Sequence, residues 1–555
     1  MTKYNPENRI LILLFLFISF GLLIWGRFFY LSVIRYEYYL AKAKILSVAS
    51  SSAAPRGSIF LTDKDALPFA AALNKEFPLI YAVPAKIKEP EILAEKLVPI
   101  LELDKETLIQ KLSKNGDPYE ILKKRVSEEV IKAVKDQNEI GIGIDNETLR
   151  YYPEGLHLSH TIGFLGFNKN GQTGQYGLEE YYDKELTGFV SSADLILTID
   201  SAIQSQAGIL LLKTVEDWQA DGGSIVVMDP KDGSILAIAS FPDFDANNYF
   251  SIKNHDFFIN PVTLKRYEPG SVFKPITMAI GIETGAVTPE TEYYNTGTVK
   301  VGDKIISNSI PDKILGWQTM VKVLEQSLNT GAVFVEQKIP KDVFLKFLKD
   351  FGVDGKTGID VSEVAGDLSV LENKRDINFA TASFGQGVAL TPIELIRALS
   401  AIANGGKLVR PRLVKKVVYH NGENYLPAQT GEIKDELPRQ IISLETSAKL
   451  INMMTKVVES GSGRQAGVTG YTVAGKTGTA QVPDLKKGGY KDEYIHTFVG
   501  FAPAYDPKFI ALIKLDNPKG IRFAESTVVP VFKELAEFIF SYLQIPPDKP
   551  VENQQ

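Results

Sequence analysis

The chain contains 555 residues, 44% of them hydrophobic, and carries a formal net charge of −6 with no cysteine. This length exceeds what one hydrophobic core serves, so two or three domains are expected. The absence of cysteine excludes thiol catalysis, disulfide bonds and thiolate metal sites, and the acidic balance gives no reason to expect a nucleic-acid partner. None of the five histidines belongs to a His-Glu-x-x-His motif. We therefore expect no metal site, and we assign any hydrolytic or transfer chemistry to serine or lysine.

An uncharged apolar run, Ile10–Gly26, lies close to the N-terminus. About 17 apolar residues are the lower limit for crossing the core of a bilayer, and Phe28–Leu31 extends the run. Lys3 and Arg9 precede it, which favours an N-terminus in the cytoplasm. We therefore predict a single-pass signal-anchor in the cytoplasmic membrane, with everything that follows outside the cytoplasm. A cleaved signal peptide is the alternative, but the small residues at 49–54 lie too far beyond the run for a usual cleavage site.

The rest of the chain divides into two domains on its residue patterns. From Arg56 the pattern becomes strand-like, and a mixed region follows that includes a stretch of helical periodicity at 91–113. A second, larger domain opens with the apolar run at 194–200. The predicted organisation is a cytoplasmic tail at 1–9, an anchor at 10–31, a stalk at 32–55, a mixed α/β domain at 56–193, the larger domain at 194–545 and a disordered polar tail at 546–555.

The larger domain contains the clearest hairpin signal in the chain. Two apolar runs, 223–229 and 234–240, are joined by the turn Pro230–Gly233. Helical patterns and then further strand patterns follow, which is typical of an α+β domain with one antiparallel sheet and helices on both faces. The predicted helices are 201–218, 321–335, 341–351, 392–404, 446–458 and 528–543, and the predicted late strands are 471–474, 497–501 and 509–515.

The stretch Tyr267–Pro275 combines a helix breaker with a serine and a lysine. Pro269 and Gly270 end the preceding segment, and the apolar residues after them favour a helix that begins at Ser271. Lys274 lies three residues on, over the same helical face. A serine hydroxyl is a weak nucleophile until a base takes its proton, and a partly buried lysine amine can be that base. The alternative is a helix-capping serine beside a solvated lysine.

Two further motifs follow downstream: Ser327-Leu328-Asn329 within a predicted helix, and the stretch from Lys476 to Thr479 after a predicted strand. Ser-x-x-Lys, Ser-x-Asn and Lys-Thr-Gly, in this order on an α+β domain, resemble the signature of the penicilloyl serine transferases. This resemblance favours the catalytic interpretation of Tyr267–Pro275 over the capping one.

The resemblance implies a catalytic role for five of these residues. Ser271 attacks a carbonyl, and Lys274, desolvated and close to the second cation Lys476, has a lowered pKa and acts as the base. Ser327 relays a proton toward the leaving amine, and Asn329 holds a substrate amide. Which of Lys274, Ser327 and Lys476 carries the proton at each step is left open, because the three groups titrate as a coupled set.

The Lys-Thr-Gly stretch implies a binding edge for the substrate. The strand edge with Gly478 pairs with the substrate backbone, and the hydroxyls of Thr477 and Thr479 face a carboxylate. The backbone N–H groups of Ser271 and Thr479 form the oxyanion hole.

Two other motifs in the chain imitate functional patterns. Gly470–Thr477 matches the phosphate-binding loop Gly-x4-Gly-Lys-Thr, but its interior is β-prone and Gly478 interrupts any helix that starts after it. A second Lys-Thr-Gly, Lys356–Gly358, has no strand before it and is predicted to be a surface turn. We therefore place the functional motif at Lys476.

Over nearly its full length the chain resembles a class B (monofunctional) penicillin-binding protein. The resemblance rests on Arg56–Ile59, Arg150–Pro153, Gly163–Gly166, Gly177–Glu179, Leu195–Asp200, the hairpin, Tyr267–Pro275, Ser383–Gly387 and Ala474–Gln481. It implies a non-catalytic, dimerisation-type pedestal at 56–193 and a transpeptidase domain at 194–545. Leu61–Lys64 departs from the family's pattern, which affects only local contacts of the pedestal.

The resemblance also implies the activity of a peptidoglycan D,D-transpeptidase that needs no cofactor. Ser271 attacks the D-Ala–D-Ala bond of one stem peptide, releases D-Ala and passes the acyl group to an amine of a second stem, and β-lactams acylate the same serine. Gly470–Gly475 and Leu515–Pro518 are more similar to the septal, cell-division subgroup than to the elongation subgroup. A membrane glycosyltransferase of the division machinery is then the implied partner. Two alternatives stay open: a β-lactam-hydrolysing enzyme, and a sensor or scaffold triggered by acylation.

Overall fold

The computed structural model of the chain describes residues 6–30, 55–114, 116–153, 155, 157–168, 171–187, 192–310, 314–421, 424–432, 438–484 and 486–550. Two compact units are distinguished along the chain. The first contains Asn74–Leu149 together with the N-terminal residues up to Pro55, and the second contains Arg56–Leu73 and the chain from Arg150 onward. The domain bounds predicted from the sequence stay a prediction.

A helix occupies Pro6–Phe29 in the first unit. Across the residues that the structure describes, no helix is long and apolar enough to cross a membrane. The anchor predicted over residues 10–31 is therefore not confirmed and stays a prediction from the sequence. Residue 31 and most of the predicted stalk, 32–54, lie outside the described residues.

The remainder of the first unit packs three helices around a small apolar core that includes Leu97 and Leu108. The stretch of helical periodicity at 91–113 forms two helices. The first ends because Glu102 adopts a left-handed conformation with φ of 53°, and the second begins because the Asp104 side chain accepts a hydrogen bond from the Thr107 N–H at 2.9 Å. The helices are Pro90–Leu101, Lys105–Leu112 and Glu128–Gln137.

An outer sheet in the second unit joins segments that are far apart in the sequence. Ile59–Thr62 pairs in parallel with Ala193–Asp200, and Ala193–Asp200 pairs antiparallel with Val414–Asn421. Asn424–Glu432 pairs with Val414–Asn421 at the edge of this sheet. The first residues of the strand Pro68–Ala82 pair with Ile59–Thr62 from the other side.

Three of the motifs that carry the resemblance in the first predicted domain meet at one buried carboxylate, that of Glu179. Arg56 Nε donates to Glu179 Oε2 at 2.7 Å, and Arg150 Nε donates to Oε1 at 2.7 Å. The hydroxyl of Tyr152 donates to Oε1 at 3.1 Å, and Arg56 Nη1 also donates to Asp183 at 2.7 Å. Because both arginines pair with the same carboxylate, these motifs form a buried ion network that holds distant segments of the unit together.

The second unit is centred on a five-stranded antiparallel sheet, whose strands we number in chain order. Its strand order is β3-β4-β5-β1-β2. The predicted hairpin is confirmed as β1 and β2. The strands are β1 (Gly222–Met228), β2 (Ile235–Phe241), β3 (Ala474–Pro483), β4 (Tyr490–Ala502) and β5 (Phe509–Asp516).

Both faces of this sheet are covered by helices, which explains why its strands are apolar runs rather than alternating patterns. On β1, Ile225 and Val227 belong to one core with the helices Ser201–Asp217 and Val528–Tyr542. Val226 and Met228 belong to a second core on the opposite face. The α+β architecture with helices on both faces of one antiparallel sheet is therefore confirmed.

Most of the predicted helices agree with the structure to within a few residues. The helices of this domain are Ser201–Asp217, Lys274–Glu283, Met320–Glu325, Asn329–Gln337, Lys341–Asp350, Asp376–Ala382, Pro392–Ala403, Leu444–Glu459 and Val528–Tyr542. The helices between Met320 and Glu459 share one apolar core with β1 and with the helix Lys274–Glu283.

One strand prediction near the C-terminus is wrong. The strand predicted at 471–474 begins only at Ala474, because the backbone before it is bound elsewhere: the Thr472 N–H donates to Asp548 Oδ1 at 2.7 Å. The same contact holds the first part of the tail predicted to be disordered, and the N–H groups of Asp548 and Lys549 both donate to Gly470 O at 3.1 Å. Residues 551–555 lie outside the described residues.

Candidate active site

The turn before Ser271 is fixed by two glycines. Gly270 has φ of +61°, a conformation that side chains other than glycine's rarely adopt, and its N–H donates to Gly385 O at 3.0 Å. A short 3-10 turn, Gly270–Phe273, then runs directly into the helix Lys274–Glu283. Ser271 therefore lies at the start of a helix, as predicted, and it remains partly exposed while Lys274 is buried.

Ser327 lies in a break between two helices, so the continuous helix predicted at 321–335 is wrong. The first helix ends at Glu325 and the second begins at Asn329. Ser327 between them has φ of +55°, a strained conformation for a residue with a side chain, and such strain is typical of functional sites.

Two buried lysines converge on the hydroxyl of Ser327. Lys274 Nζ donates to Ser327 Oγ at 3.2 Å and to the Ser327 carbonyl at 2.6 Å. Lys476 Nζ donates to the same Oγ at 2.9 Å. Among the described residues, the Ser271 hydroxyl has no hydrogen-bond partner. Catalytic hydrogen bonds are often formed only when substrate is bound, so this geometry is compatible with Lys274 acting on Ser271.

Burial makes both lysines unusually weak bases. It lowers the pKa of Lys274 well below its ordinary value, and the neighbouring cation Lys476 lowers that pKa further. Burial also lowers the pKa of Lys476 to about 7, against the opposing effect of the Glu525 carboxylate. At neutral pH, Lys274 is therefore able to exist as a neutral amine, which is the form that accepts a proton.

The Lys-Thr-Gly motif lies within β3, the edge strand of the central sheet, rather than after a strand. Thr477 Oγ1 is hydrogen-bonded to Ser462 Oγ at 2.7 Å and accepts from Lys476 Nζ at 3.3 Å. Thr479 Oγ1 accepts from the Ala524 N–H at 3.2 Å. A Cβ at Gly478 would lie 2.9 Å from Val272 Cγ1 and 3.0 Å from Pro269 O, so only glycine lets β3 approach the Ser271 turn this closely.

Ser271, Ser327, Thr477 and Thr479 line one cleft of about 280 Å³. Lys274 and Lys476 reach this cleft through their hydrogen bonds to Ser327. The other lining residues are Asn308, Ser309, Ile310, Ile314, Gln326, Leu328, Ser460, Gly461, Ser462, Phe523, Ala524 and Glu525. Most of the predicted constellation is thus assembled around one opening.

The Asn329 side chain is bonded outside this cleft. It is not among the lining residues, and its Nδ2 donates to Ser307 O at 2.9 Å. Its amide oxygen has no partner among the described residues and is the group that remains for a substrate amide.

The comparison with protein families decides how this site is interpreted. The family model described as the penicillin-binding protein transpeptidase domain matches residues 223–537. The chain belongs to the penicillin-binding protein family. A second model, the penicillin-binding protein dimerisation domain, matches residues 51–198. The two domains together identify a class B penicillin-binding protein, and the resemblance stated from the sequence motifs is confirmed.

Relatives of this penicillin-binding protein extend over most of its length. Stage V sporulation protein D of Bacillus subtilis is 33% identical over 512 residues, 86% of this chain and 77% of that protein. The peptidoglycan D,D-transpeptidase FtsI homolog of Mesostigma viride is 28% identical over 588 residues, 98% of this chain and 97% of that protein.

Among solved structures, penicillin-binding protein 3 of Mycobacterium tuberculosis in complex with ampicillin has a TM-score of 0.69 to this penicillin-binding protein. It is 25% identical, and the match covers 90% of this chain and 97% of that one. The chain is therefore a penicillin-binding transpeptidase enzyme with the fold expected of this family.

Sequence reasoning missed three residues that shape the site of this penicillin-binding protein. Ser462 contacts Thr477, and Glu525 lies in the cleft near Lys476. His496, opposite Thr479 on β4, bonds through its ring nitrogens to Thr527 Oγ1 at 2.9 Å and to Arg522 O at 3.0 Å, and so holds the segment that carries Glu525. None of them belongs to a motif with fixed spacing from Ser271, so only the folded chain brings them together.

Proposed function

We propose that Ser271 is the acylated serine of a peptidoglycan D,D-transpeptidase that cross-links stem peptides. The observation that carries this proposal is the convergence of two buried lysines, Lys274 and Lys476, on the Ser327 hydroxyl in the cleft that Ser271 lines. The activity is also that named for the Mesostigma viride relative, which the chain matches over nearly its whole length.

The first half-reaction forms an ester on Ser271. Neutral Lys274 takes the Ser271 proton while Oγ attacks the carbonyl carbon of the penultimate D-Ala. The N–H groups of Ser271 and Thr479 stabilise the negative charge that develops on the carbonyl oxygen. The proton then passes from Lys274 through Ser327 to the leaving nitrogen, the carbon–nitrogen bond breaks, and the terminal D-Ala departs as an amine.

The second half-reaction transfers the acyl group. An amine of a second stem peptide attacks the ester carbonyl and loses a proton to the set formed by Lys274, Ser327 and Lys476. The bond between Ser271 Oγ and the carbonyl carbon breaks, and Oγ regains its proton. The products are a cross-linked peptide and free enzyme, so no metal and no cofactor enters the balance.

Substrate binding uses the β3 edge and the residues around it. The edge strand leaves backbone groups for pairing with an extended peptide, and Gly478 allows the close approach. Thr477 and Thr479 bind the terminal carboxylate, and the amide oxygen of Asn329 accepts from a substrate amide. A β-lactam has a comparable carboxylate and a strained amide, and it acylates the same serine.

The cellular setting of this reaction follows from the sequence. The apolar run Ile10–Gly26 anchors the protein in the cytoplasmic membrane with the N-terminus inside, and the catalytic domain works on the cell-wall side. Gly470–Gly475 and Leu515–Pro518 favour the cell-division machinery over the elongation machinery, with a membrane glycosyltransferase as partner.

Labelling with a fluorescent penicillin tests this proposal. We expect wild-type protein to form a covalent, long-lived adduct at Ser271, Ser271→Ala to form none, and Ser309→Ala, which removes another serine of the same cleft, to react like the wild type. The released D-Ala is then measured with a D-Ala–D-Ala stem peptide and an amine acceptor. Absence of label on the wild type would refute the proposal, and label lost within seconds would indicate a β-lactam-hydrolysing enzyme. Stable label without any transfer to the acceptor would indicate a sensor or scaffold.

A further inference from the structure

Ser462 occupies a turn that connects three parts of the active site. The turn follows the helix Leu444–Glu459, and Ser462 lines the catalytic cleft. Its N–H donates to Glu325 O at 3.3 Å, at the end of the helix that precedes Ser327. Its hydroxyl lies 2.7 Å from Thr477 Oγ1. Ser462 is therefore held by the segment that carries Ser327 and is in contact with the Lys-Thr-Gly strand.

The contacts of Thr477 constrain where its hydroxyl proton points. A threonine hydroxyl has one proton to donate and two lone pairs to accept with. Lys476 Nζ, which has no lone pair when charged, donates to Thr477 Oγ1 at 3.3 Å. If Ser462 donates as well, both lone pairs of Thr477 Oγ1 are occupied and its proton is directed away from both donors. Among the described residues, no other group contacts this hydroxyl, so the proton is left for a ligand in the cleft.

The hydroxyl of Thr479 is also left with a proton to donate. Its Oγ1 accepts from the Ala524 N–H at 3.2 Å, which leaves its own proton without an acceptor among the described residues. Residues 477 and 479 are two apart on a β-strand and so lie on the same face of β3. A planar carboxylate has two oxygens and accepts from two such donors at once.

We propose that Ser462 is a positioning residue, which donates to Thr477 and so makes the Thr477 hydroxyl a hydrogen-bond donor for the carboxylate of the acyl donor. The ligand class is a peptide or lactam with a free carboxylate next to the reacting amide. This inference rests on the proposed function, because it assigns the orientation of a group that the transpeptidase reaction uses for binding. Ser462 itself takes no proton from Ser271 and forms no bond to the acyl group.

The test compares a penicillin with its methyl ester on Ser462→Ala and wild-type protein. The ester lacks the negative charge that the two hydroxyls recognise. The concentration dependence of the acylation rate separates the dissociation constant of the initial complex from the rate constant of acylation. We expect Ser462→Ala to weaken binding of the free acid roughly ten-fold, the size of a hydrogen bond to a charged group, with the acylation rate constant changed by less than about two-fold and binding of the ester unchanged.

Two control variants keep the result interpretable. Ser462→Thr retains the hydroxyl and should restore binding of the acid. Ser251→Ala removes an exposed hydroxyl that lies outside the cleft and contacts Asn248 O at 2.9 Å, so it should behave like the wild type. Equal losses for acid and ester, or no loss for either, would overturn the role of Ser462 while leaving the transpeptidase intact. A wild-type protein that neither compound acylates would refute the proposed function and this inference together.

Discussion

At the scale of single residues, the proposed mechanism depends on the effect of burial on the pKa values of two lysines. A lysine in water is almost fully charged at neutral pH and cannot act as a base. Lys274 is 1% exposed and Lys476 is fully buried, and both pKa values are lowered mainly by this burial. Because Lys476 also lowers the pKa of Lys274, the second lysine influences the proposed base without contacting Ser271.

This coupling predicts a shift in the pH dependence of acylation. In the proposed mechanism acylation needs neutral Lys274, so its rate is expected to rise with pH through the pKa of Lys274 and then level off. Lys476→Met removes the neighbouring cation, raises the pKa of Lys274, and moves the rising limb of the profile to higher pH. Lys476→Arg retains the charge and should leave the limb in place, whatever it does to the maximal rate. The measurement is the rate of penicillin acylation from pH 5 to pH 10, and a limb at the same pH in both variants would contradict the prediction.

At the scale of elements, the close approach of β3 to the Ser271 turn determines the shape of the site. Gly478 faces Val272, which is fully buried, and the backbone carbonyl of Pro269. Neither can move freely, since one is packed in the core and the other belongs to the turn that presents Ser271. An added methyl group would therefore separate β3 from this turn.

Gly478→Ala is predicted to damage acylation more than folding. Overpacking at one position costs about 1–3 kcal/mol of stability, which a domain of this size tolerates, whereas a shift of even 1 Å in an active site can lower the rate about 100-fold. We expect at least a ten-fold loss in the second-order rate of penicillin acylation. Gly355→Ala, at a glycine with nothing within 4 Å of the added atom, should leave that rate unchanged. A Gly478→Ala protein that acylates at the wild-type rate would show that the close approach is unimportant.

The elements also show what the sequence can predict. The predicted strands β1 and β2 agree with the structure to within a few residues, because apolar runs and turn residues mark them directly. The predicted helix at 392–404 agrees equally well, and in the structure Thr391 caps it with Pro392 in its first turn. The break at Ser327 has no such mark: the residues before it are good helix formers, and the weak helix formers after it, Asn329–Gly331, lie inside the next helix. It is held by tertiary structure and by local bonds such as the Leu328 N–H to Val323 O contact at 3.0 Å.

In the candidate site, too, residues within sequence motifs could be predicted, whereas contacts made only by the fold could not. Spacing and order selected Ser271, Lys274, Ser327 and Lys476, because each belongs to a motif whose chemistry is readable from residue type. The contact of Ser462 with Thr477 joins positions that no motif connects, so the sequence could not indicate it. The hydrogen bond from Asn329 to Ser307 O could likewise not be predicted from the sequence. Ser307 lies on the strand Lys304–Ser307, whose position only the fold determines.

At the scale of the whole molecule, the second unit is held together by charges from distant parts of the chain. Arg56 and Glu179 are separated by 123 residues, and Arg150 and Glu179 by 29. Glu179 is fully buried and Arg150 is nearly so. The motifs around these residues were recognised from the sequence as family features, but their pairing was not, and it assigns them a structural role.

Glu179→Gln is therefore predicted to destabilise the unit without altering the chemistry of the site. It removes the carboxylate that Arg56 and Arg150 share, while Arg56 keeps its pair with Asp183, and breaking a buried pair in this way costs about 3–5 kcal/mol. Glu180→Gln, at the exposed neighbour on the same helix, should change the free energy of unfolding by less than about 0.5 kcal/mol. Urea denaturation measures both, and penicillin acylation of the folded Glu179→Gln protein should retain the wild-type rate. Equal stability of the two variants would mean that the ion network contributes nothing, and a slowed acylation at full stability would assign Glu179 to the site instead.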